Sequence, residues 1–397
     1  MKDLKHLIYF EDLLQEAHND LIRQAQEEGK KCIGYMCENV PEPLLNLPGI
    51  FSARLRAPRT GSIDVGTYYL TSFLCEYSRA ILERALEGGY NFLDGMVTPD
   101  GCTMLNRCVE NMELLKAAGK DKENFFWDYM EIPMKADYNG LNLYVLQCKN
   151  HILKPLAENY GIDVSDEAIR KAVAEHNHIC ELLRQIGDFR KLDKPTITGY
   201  EYNVLCLASY VAPKYLIVDK LEETLEELKT REPDDKPWFK ARVLVVGSEV
   251  DDTDFIKLIE DSGAFVCADR FCYGSLPGRD PIELTDDEDA LTQICRQYMY
   301  RGECPRYMNT QKMEGRREYV DKLAKEYKAD GIIVESNKFC EYWSYERTID
   351  TIILPRDFGI PVCSIEKEYI NGASGQLRTR FQAFVESIEI KKIQEAI

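Results

Sequence analysis

The 397-residue chain carries fourteen cysteines. Four of them stand at the far edge of short apolar runs. Cys37 follows KCIGYM, Cys102 follows FLDGMV, Cys272 follows AFVCAD and Cys340 follows DGIIVE. If those runs are strands of parallel sheets, the four lie where ligands bind, beyond the strands' carboxyl ends. A helix starting at such a cysteine favours the thiolate, the form that metals take. Cys75 falls in a helical stretch, FLCEYSRAILERAL, and Cys304 in a loop, YRGECPRYM. Six thiolates converging on one cleft would suit an iron–sulfur cluster, because iron–sulfur sites select soft sulfur ligands. The other readings of cysteine fit less well. No CxxC occurs, so zinc ribbons, thioredoxin-type sites and ferredoxin runs lack their signature. Five histidines occur without an HExxH, and His176 and His178 read as ordinary helix residues. Cys32, Cys267 and Cys363 lie inside strand-like runs, and Cys148, Cys180, Cys206 and Cys295 in helical patterns. Both settings suit core packing.

The elements that must position these residues alternate. Lys31 to Met36 and Phe92 to Val97 read as strands, as do the runs beginning at Ala241, Ala264, Asp330 and Ile360. Helical patterns lie between them, at Asp251 to Asp261, Glu283 to Tyr300, Arg316 to Tyr327 and from Gly375 onward. From about Leu141 to Arg231 the pattern is almost wholly helical, ending at a polar stretch, TREPDDKPWFK. The expected fold is α/β, with two parallel-sheet lobes joined by a helical segment. Its predicted boundaries are residues 1–136, 137–236 and 237–397. Asp94-Gly95 with Cys102, and Asp330-Gly331 with Cys340, suggest an internal duplication.

Composition bounds the partners. The formal charge of −18, from 50 basic and 68 acidic residues, argues against binding a phosphate backbone non-specifically, so no nucleic-acid partner is expected. Mean hydropathy is −0.37 and no run of 18 uncharged apolar residues occurs, so no membrane span is expected. Charges interleave through the first twenty residues, which predicts no signal peptide and a cytoplasmic location.

Four segments carry a resemblance to a known family: GYMCENVPEPLL, SFLCEYSRAILERALEGGYNFLDGMVTPDGC, ADGIIVESNKFC and GQLRTRFQAFVES. In their order and spacing the sequence resembles, essentially end to end, the 2-hydroxyacyl-CoA dehydratase and benzoyl-CoA reductase subunits. The resemblance implies two flavodoxin-like lobes and an oxygen-sensitive [4Fe-4S] cluster. The family's cluster cysteines match Cys75, Cys102 and Cys340, which would leave one iron open to substrate. It further implies a second subunit, as a heterodimer or homodimer, and an ATP-hydrolysing iron–sulfur activator that injects one electron. A ketyl radical on the acyl-CoA then loses water. The absence of GxxxxGK[ST] agrees that ATP handling belongs to a partner.

Cys37, Cys272 and Cys304 resemble extra ligands of a sister branch, the double-cubane cluster proteins. That match implies an alternative, an [8Fe-9S] double cubane and ATP-dependent reduction of small molecules. A third reading is an electron-relay subunit of a benzoyl-CoA reductase-type complex. Glu38 and Glu42 flank Cys37 and are candidates for a base beside the cluster. Arg54, Arg56 and Arg59 are candidates for the phosphates of coenzyme A, which guanidinium groups grip bidentately. The last helix is amphipathic and is expected to pack on its own lobe.

Overall fold

A computed structural model describes residues 1–275, 279–301, 304–370 and 374–395. Its strands form two four-stranded sheets, parallel throughout. The first holds β1 (Lys31–Tyr35), β2 (Ile50–Arg54), β3 (Gly95–Asp100) and β4 (Phe126–Glu131), in the order β2-β1-β3-β4. The second holds β5 (Ala241–Gly247), β6 (Ala264–Phe271), β7 (Gly331–Asn337) and β8 (Val362–Lys367), in the order β6-β5-β7-β8. The central strands read as continuous apolar runs because helices cover both faces. Every residue of β5, ARVLVVG, is buried.

The two orders are the same, and so is a local device. Asp94 donates its N–H to the Cys32 carbonyl (2.8 Å), and its carboxylate accepts the Cys32 N–H (2.9 Å). Asp330 makes the same exchange with Arg242, at 2.8 and 2.7 Å. Each Asp-Gly pair thus staples the start of one central strand to the other. The duplicated pairs are structural equivalents, and they set the level at which β3 and β7 release Cys102 and Cys340. Replacing the buried Asp94 by Ala should cost about 1–3 kcal/mol, because the Cys32 N–H loses its partner in the interior. Urea denaturation of the variant checks this.

Four sequence expectations shift. β3 begins at Gly95 rather than Phe92, since Asp94 is committed to the staple. The edge strands β2 and β4 carry weak patterns, IFSAR and FWDYME, and the sequence does not announce them. The helix expected from Glu283 begins only at Ala290, where Asp289 caps it by accepting the Thr292 N–H. The helix expected from Arg316 instead begins at Thr310, capped by Asn309.

Between the sheets run helices Tyr138–Cys148, Lys154–Tyr160, Asp166–Asp188, Gly199–Val211 and Lys214–Thr230. Thr198 and Glu201 close a reciprocal capping box at the start of the fourth. Gly199 lies so close to β6 that a Cβ there would meet the Val266 carbonyl at 2.6 Å. The helical segment packs on both lobes: Leu141, Tyr144 and Leu156 join the core of the first sheet, and the helix from Gly199 lies against both β2 and β6. The final helix, Ser374–Glu395, buries Phe381, Val385 and Ile388 against the second lobe, as expected.

Candidate metal centre

Cys75, Cys102 and Cys340 each occupy the N-cap position of a helix, respectively Glu76–Leu86, Thr103–Leu114 and Glu341–Phe358. Backbone N–H groups of the first turns approach all three thiols, those of Tyr77 and Ser78 at Cys75, Met104 and Leu105 at Cys102, and Trp343 at Cys340. Cys37 sits two residues beyond β1 in the left-handed region (φ 68°), a strained setting for a residue with a side chain. Cys272 follows β6 directly and donates its N–H to the Ser248 carbonyl (3.1 Å). Cys304 precedes a turn held by Arg316, whose guanidinium donates to the Cys304 and Tyr307 carbonyls.

All six line one cavity between the lobes. Its volume of about 60 Å³ is several times the roughly 10–15 Å³ that a single water requires. Burial pushes every one of these thiols up, Cys75 to about 11 and Cys102 to about 12. After burial, Cys75 and Cys102 raise Cys340, while Cys304 adds to the rise at Cys37 and Cys272. The thiols therefore fall into two sets, Cys75/Cys102/Cys340 and Cys37/Cys272/Cys304. Such a donor-rich, buried group is stable as thiolates only with a positive charge among them, and a soft metal centre supplies one.

Two carboxylates join the second set. The ligating atoms of Glu38, Glu249 and Cys272 lie within 4.8 Å of one another. Glu249 was not singled out from sequence, being one of 68 acidic residues, yet a signal exists. It stands two residues past β5, as Cys37 stands two past β1. Burial, with Glu38 and Asp251 nearby, pushes Glu249 up against the pull of Arg54. Ser248 beside it is fixed by the buried Glu335 carboxylate, which accepts its N–H (2.9 Å). Gly247 makes room, since a Cβ there would stand 2.3 Å from Glu335 Oε2. The duplication also pairs Cys75 with Cys304, each between the last two helices before β3 or β7. Cys272 has no cysteine counterpart, because Leu55 follows β2.

The arginine and glutamate candidates divide. Arg54 is buried, with Nη1 donating to the Cys272 carbonyl (2.7 Å) and Nη2 lying 3.7 and 3.6 Å from Glu38 and Glu249. Its guanidinium lies 3.8 Å above the Tyr273 ring. Arg56 donates through Nε and Nη2 to the Asp251 carbonyl. Both are interior braces between the lobes, their charge spent on carbonyls, carboxylates and rings rather than offered to a phosphate. Arg59 alone is exposed, bonded to Gln15. Glu38 faces the cavity, 3.7 Å from Cys37 Sγ, but Glu42 does not line it. Glu42 is a buried anion, 2.7 Å from Lys214 and 3.6 Å from His176. His178 lies on the exposed side of the same helix, paired with Glu222.

Burial alone would raise Glu42, but Lys214 and His176 overcome it and hold the carboxyl down to about 2. A depressed folded-state pKa stabilises above the ordinary value of 4.5, and the benefit is lost as pH falls from there toward 2. The stabilisation is on the order of 3 kcal/mol. Between about pH 5 and pH 2.5 the Glu42→Gln variant should therefore lose less stability than the parent, as urea midpoints across that range would show.

Phe73, two residues before Cys75, and Phe339, just before Cys340, meet edge to face 6.3 Å apart, Phe73 largely exposed, with Tyr68 and Tyr345 exposed nearby in sequence. Residues 37–388 match the family profile of the 2-hydroxyglutaryl-CoA dehydratase D-component. The chain belongs to this family. Among its relatives, the (R)-phenyllactyl-CoA dehydratase beta subunit of Clostridium sporogenes is 26% identical, over 96% of this chain and 97% of its own. The (R)-2-hydroxyglutaryl-CoA dehydratase subunit beta of Acidaminococcus fermentans is 25% identical, over 93% and 95%. A benzoyl-CoA reductase subunit of Thauera aromatica is 22% identical, over 92% of each. The D-component match begins at Cys37 and takes in all six cavity cysteines. Among the described residues no helix is long and apolar enough to cross a membrane.

Proposed function

We propose that the protein is the iron–sulfur subunit of a cytoplasmic dehydratase that removes water from a 2-hydroxyacyl-CoA. The observation that carries this reading is the convergence of Cys75, Cys102 and Cys340 from three helix N-termini and both lobes on one cavity. Three thiolates fit a four-iron cluster with one position left for substrate. Bound there, the cluster would supply low-potential one-electron chemistry. The chain's own part is to hold the thiolates with first-turn N–H groups and to keep water out with Met104, Leu105 and Trp343. Glu38 is the carboxylate placed to hold a proton beside it. A homologous second subunit and an ATP-hydrolysing activator complete the system. The subunit names of the relatives and the exposed rings of Phe73, Tyr68 and Tyr345 support the need for partners. On this reading residues 1–136 and 237–397 are the two cluster-holding lobes and 137–236 the helical segment that braces them.

One observation favours a second reading. Cys37, Cys272 and Cys304 line the same cavity as a separate set, which is what a double cubane in an ATP-driven reductase would need. Anaerobic turnover of a 2-hydroxyacyl-CoA, with activator, ATP and the second subunit, tests the first reading. Formation of the 2-enoyl-CoA supports it. Reduction of small molecules by this chain alone, without dehydration, contradicts it. Electron transfer without either reaction would mark the protein as a relay subunit.

A further inference from the structure

We infer that a second cavity, of about 560 Å³, binds the phosphates and base of an adenine nucleotide. It lies between helix Asp166–Asp188 with the turn after it, Ser275 and Arg279 to Ile282 after β6, and helices Ala290–Tyr300 and Thr310–Glu326. No residue lines both this cavity and the cysteine cavity. Its size suits a small-molecule ligand.

The charge is the unusual feature. In a chain of net charge −18, this wall carries six cationic side chains against four acidic ones. Three of the acids are already matched. Arg190 holds Asp269 (3.0 Å), and Lys191 holds Asp188 (2.7 Å) and Glu326 (2.5 Å). Arg184 is turned to Glu181. What remains is Arg279, Arg301 and Lys322, with Asp280 as the one acid outside an ion pair among the described residues.

Arg279 is the strongest of these. It is 8% exposed and donates only to neutral groups, the Cys206 and Gly274 carbonyls and Ser209 Oγ (2.9 Å). No carboxylate among the described residues lies within ion-pair distance of it. Its guanidinium lies 4.3 Å from the Tyr210 ring, and the anion it acts on, Glu42, is already paired with Lys214. A buried guanidinium with no carboxylate in contact is costly, and a bound anion lowers that cost. Its planar fork matches phosphate oxygens bidentately. Arg301 and Lys322 stand exposed at the rim, free of ion pairs among the described residues, and extend the positive track. The half-exposed ring of Tyr300 supplies a face on which a base can stack. Two or more phosphate charges plus a flat base is the chemistry of an adenosine polyphosphate. It is shared by free ADP and by the nucleotide end of a coenzyme A thioester. The coenzyme A case rests on the dehydratase reading; the anion site itself does not.

Calorimetric titration of the full chain with ADP, coenzyme A and pyrophosphate tests the site, using the parent, Arg301→Gln/Lys322→Gln and Arg279→Gln. Both nucleotides, or coenzyme A alone, should bind, with affinity falling as salt rises. The rim double variant, which alters only exposed side chains, should weaken binding about tenfold or more while melting as the parent does. Preference for coenzyme A over ADP identifies the thioester as the source, and equal affinity identifies the free nucleotide. Three results overturn the proposal: no heat from either nucleotide at about millimolar concentration, undiminished binding by the rim variant, or pyrophosphate binding as tightly as both. Cys75→Ser should bind the nucleotide unchanged, so a failed cluster and a failed nucleotide site are separately visible.

Discussion

Cys75→Ser, Cys102→Ser and Cys340→Ser are each expected to fold and yet lose most of their bound iron and all dehydratase turnover. Serine keeps the shape of the N-cap and is itself a good N-cap residue, so helices Glu76–Leu86, Thr103–Leu114 and Glu341–Phe358 should persist. What disappears is a soft thiolate, and an alkoxide is a poor replacement for it on iron. The three positions come from different helices, so no neighbouring thiol on the same helix can take over. Cys32, Cys180 and Cys363 are the controls. Cys32 is buried within β1, Cys180 Sγ lies 3.3 Å from His176 Nε2, and Cys363 lies within β8. None of them lines the cavity. Their serine variants should retain iron at a packing cost of about 1 kcal/mol. Iron assay and circular dichroism on the six proteins give the comparison.

Glu346→Ala should have the largest effect on stability. Glu346 and Arg316 are both about 1% exposed and form a two-pronged pair, Nε to Oε1 at 2.8 Å and Nη2 to Oε2 at 2.9 Å. Arg316 simultaneously holds the Cys304 and Tyr307 carbonyls, so this pair connects the turn bearing Cys304 to the helix capped by Cys340. Removing the carboxylate takes this two-pronged pairing from a guanidinium in the interior. Breaking a buried pair in this way costs about 3–5 kcal/mol, more than the pair contributes when intact. The urea midpoint should fall accordingly, and Cys304 should become reactive to a thiol reagent before global unfolding. A midpoint within error of the parent would mean that water reaches Arg316.

The parts of the site that could be read from the sequence are those in which chemistry and periodicity coincide. Cys102 and Cys340 stand where an apolar strand run changes to a helical one, and that change alone announces a loop at a sheet's carboxyl end. The paired Asp-Gly steps were legible too, though only the hydrogen bonds show that both perform the same task. Cys75 read as mid-helix because FLCEYSRAILERAL is helical in composition throughout, whereas the helix starts just after it. Burial of charge is what the sequence hides. Arg54, Arg56 and Glu42 look like surface residues until carbonyls, carboxylates and Lys214 are brought to them from distant parts of the chain. Glu249 carries only a positional signal, two residues past β5 as Cys37 is two past β1, and its burial is hidden in the same way. The edge strands β2 and β4 carry too little alternation to stand out, since their pairing to β1 and β3 rather than their own pattern fixes them.

If Cys75, Cys102 and Cys340 hold a four-iron cluster, bound iron must follow those three thiolates. Anaerobic iron and acid-labile sulfide counting, with EPR of the reduced protein, tests it most directly on the parent and on Cys37→Ser/Cys272→Ser/Cys304→Ser. About four irons and four sulfides are expected in the triple variant, because one complete cubane survives on the other three thiolates. Parent protein with about eight irons would add a second cubane without disturbing that assignment. A triple variant without iron, or one that holds zinc in its place, would contradict it.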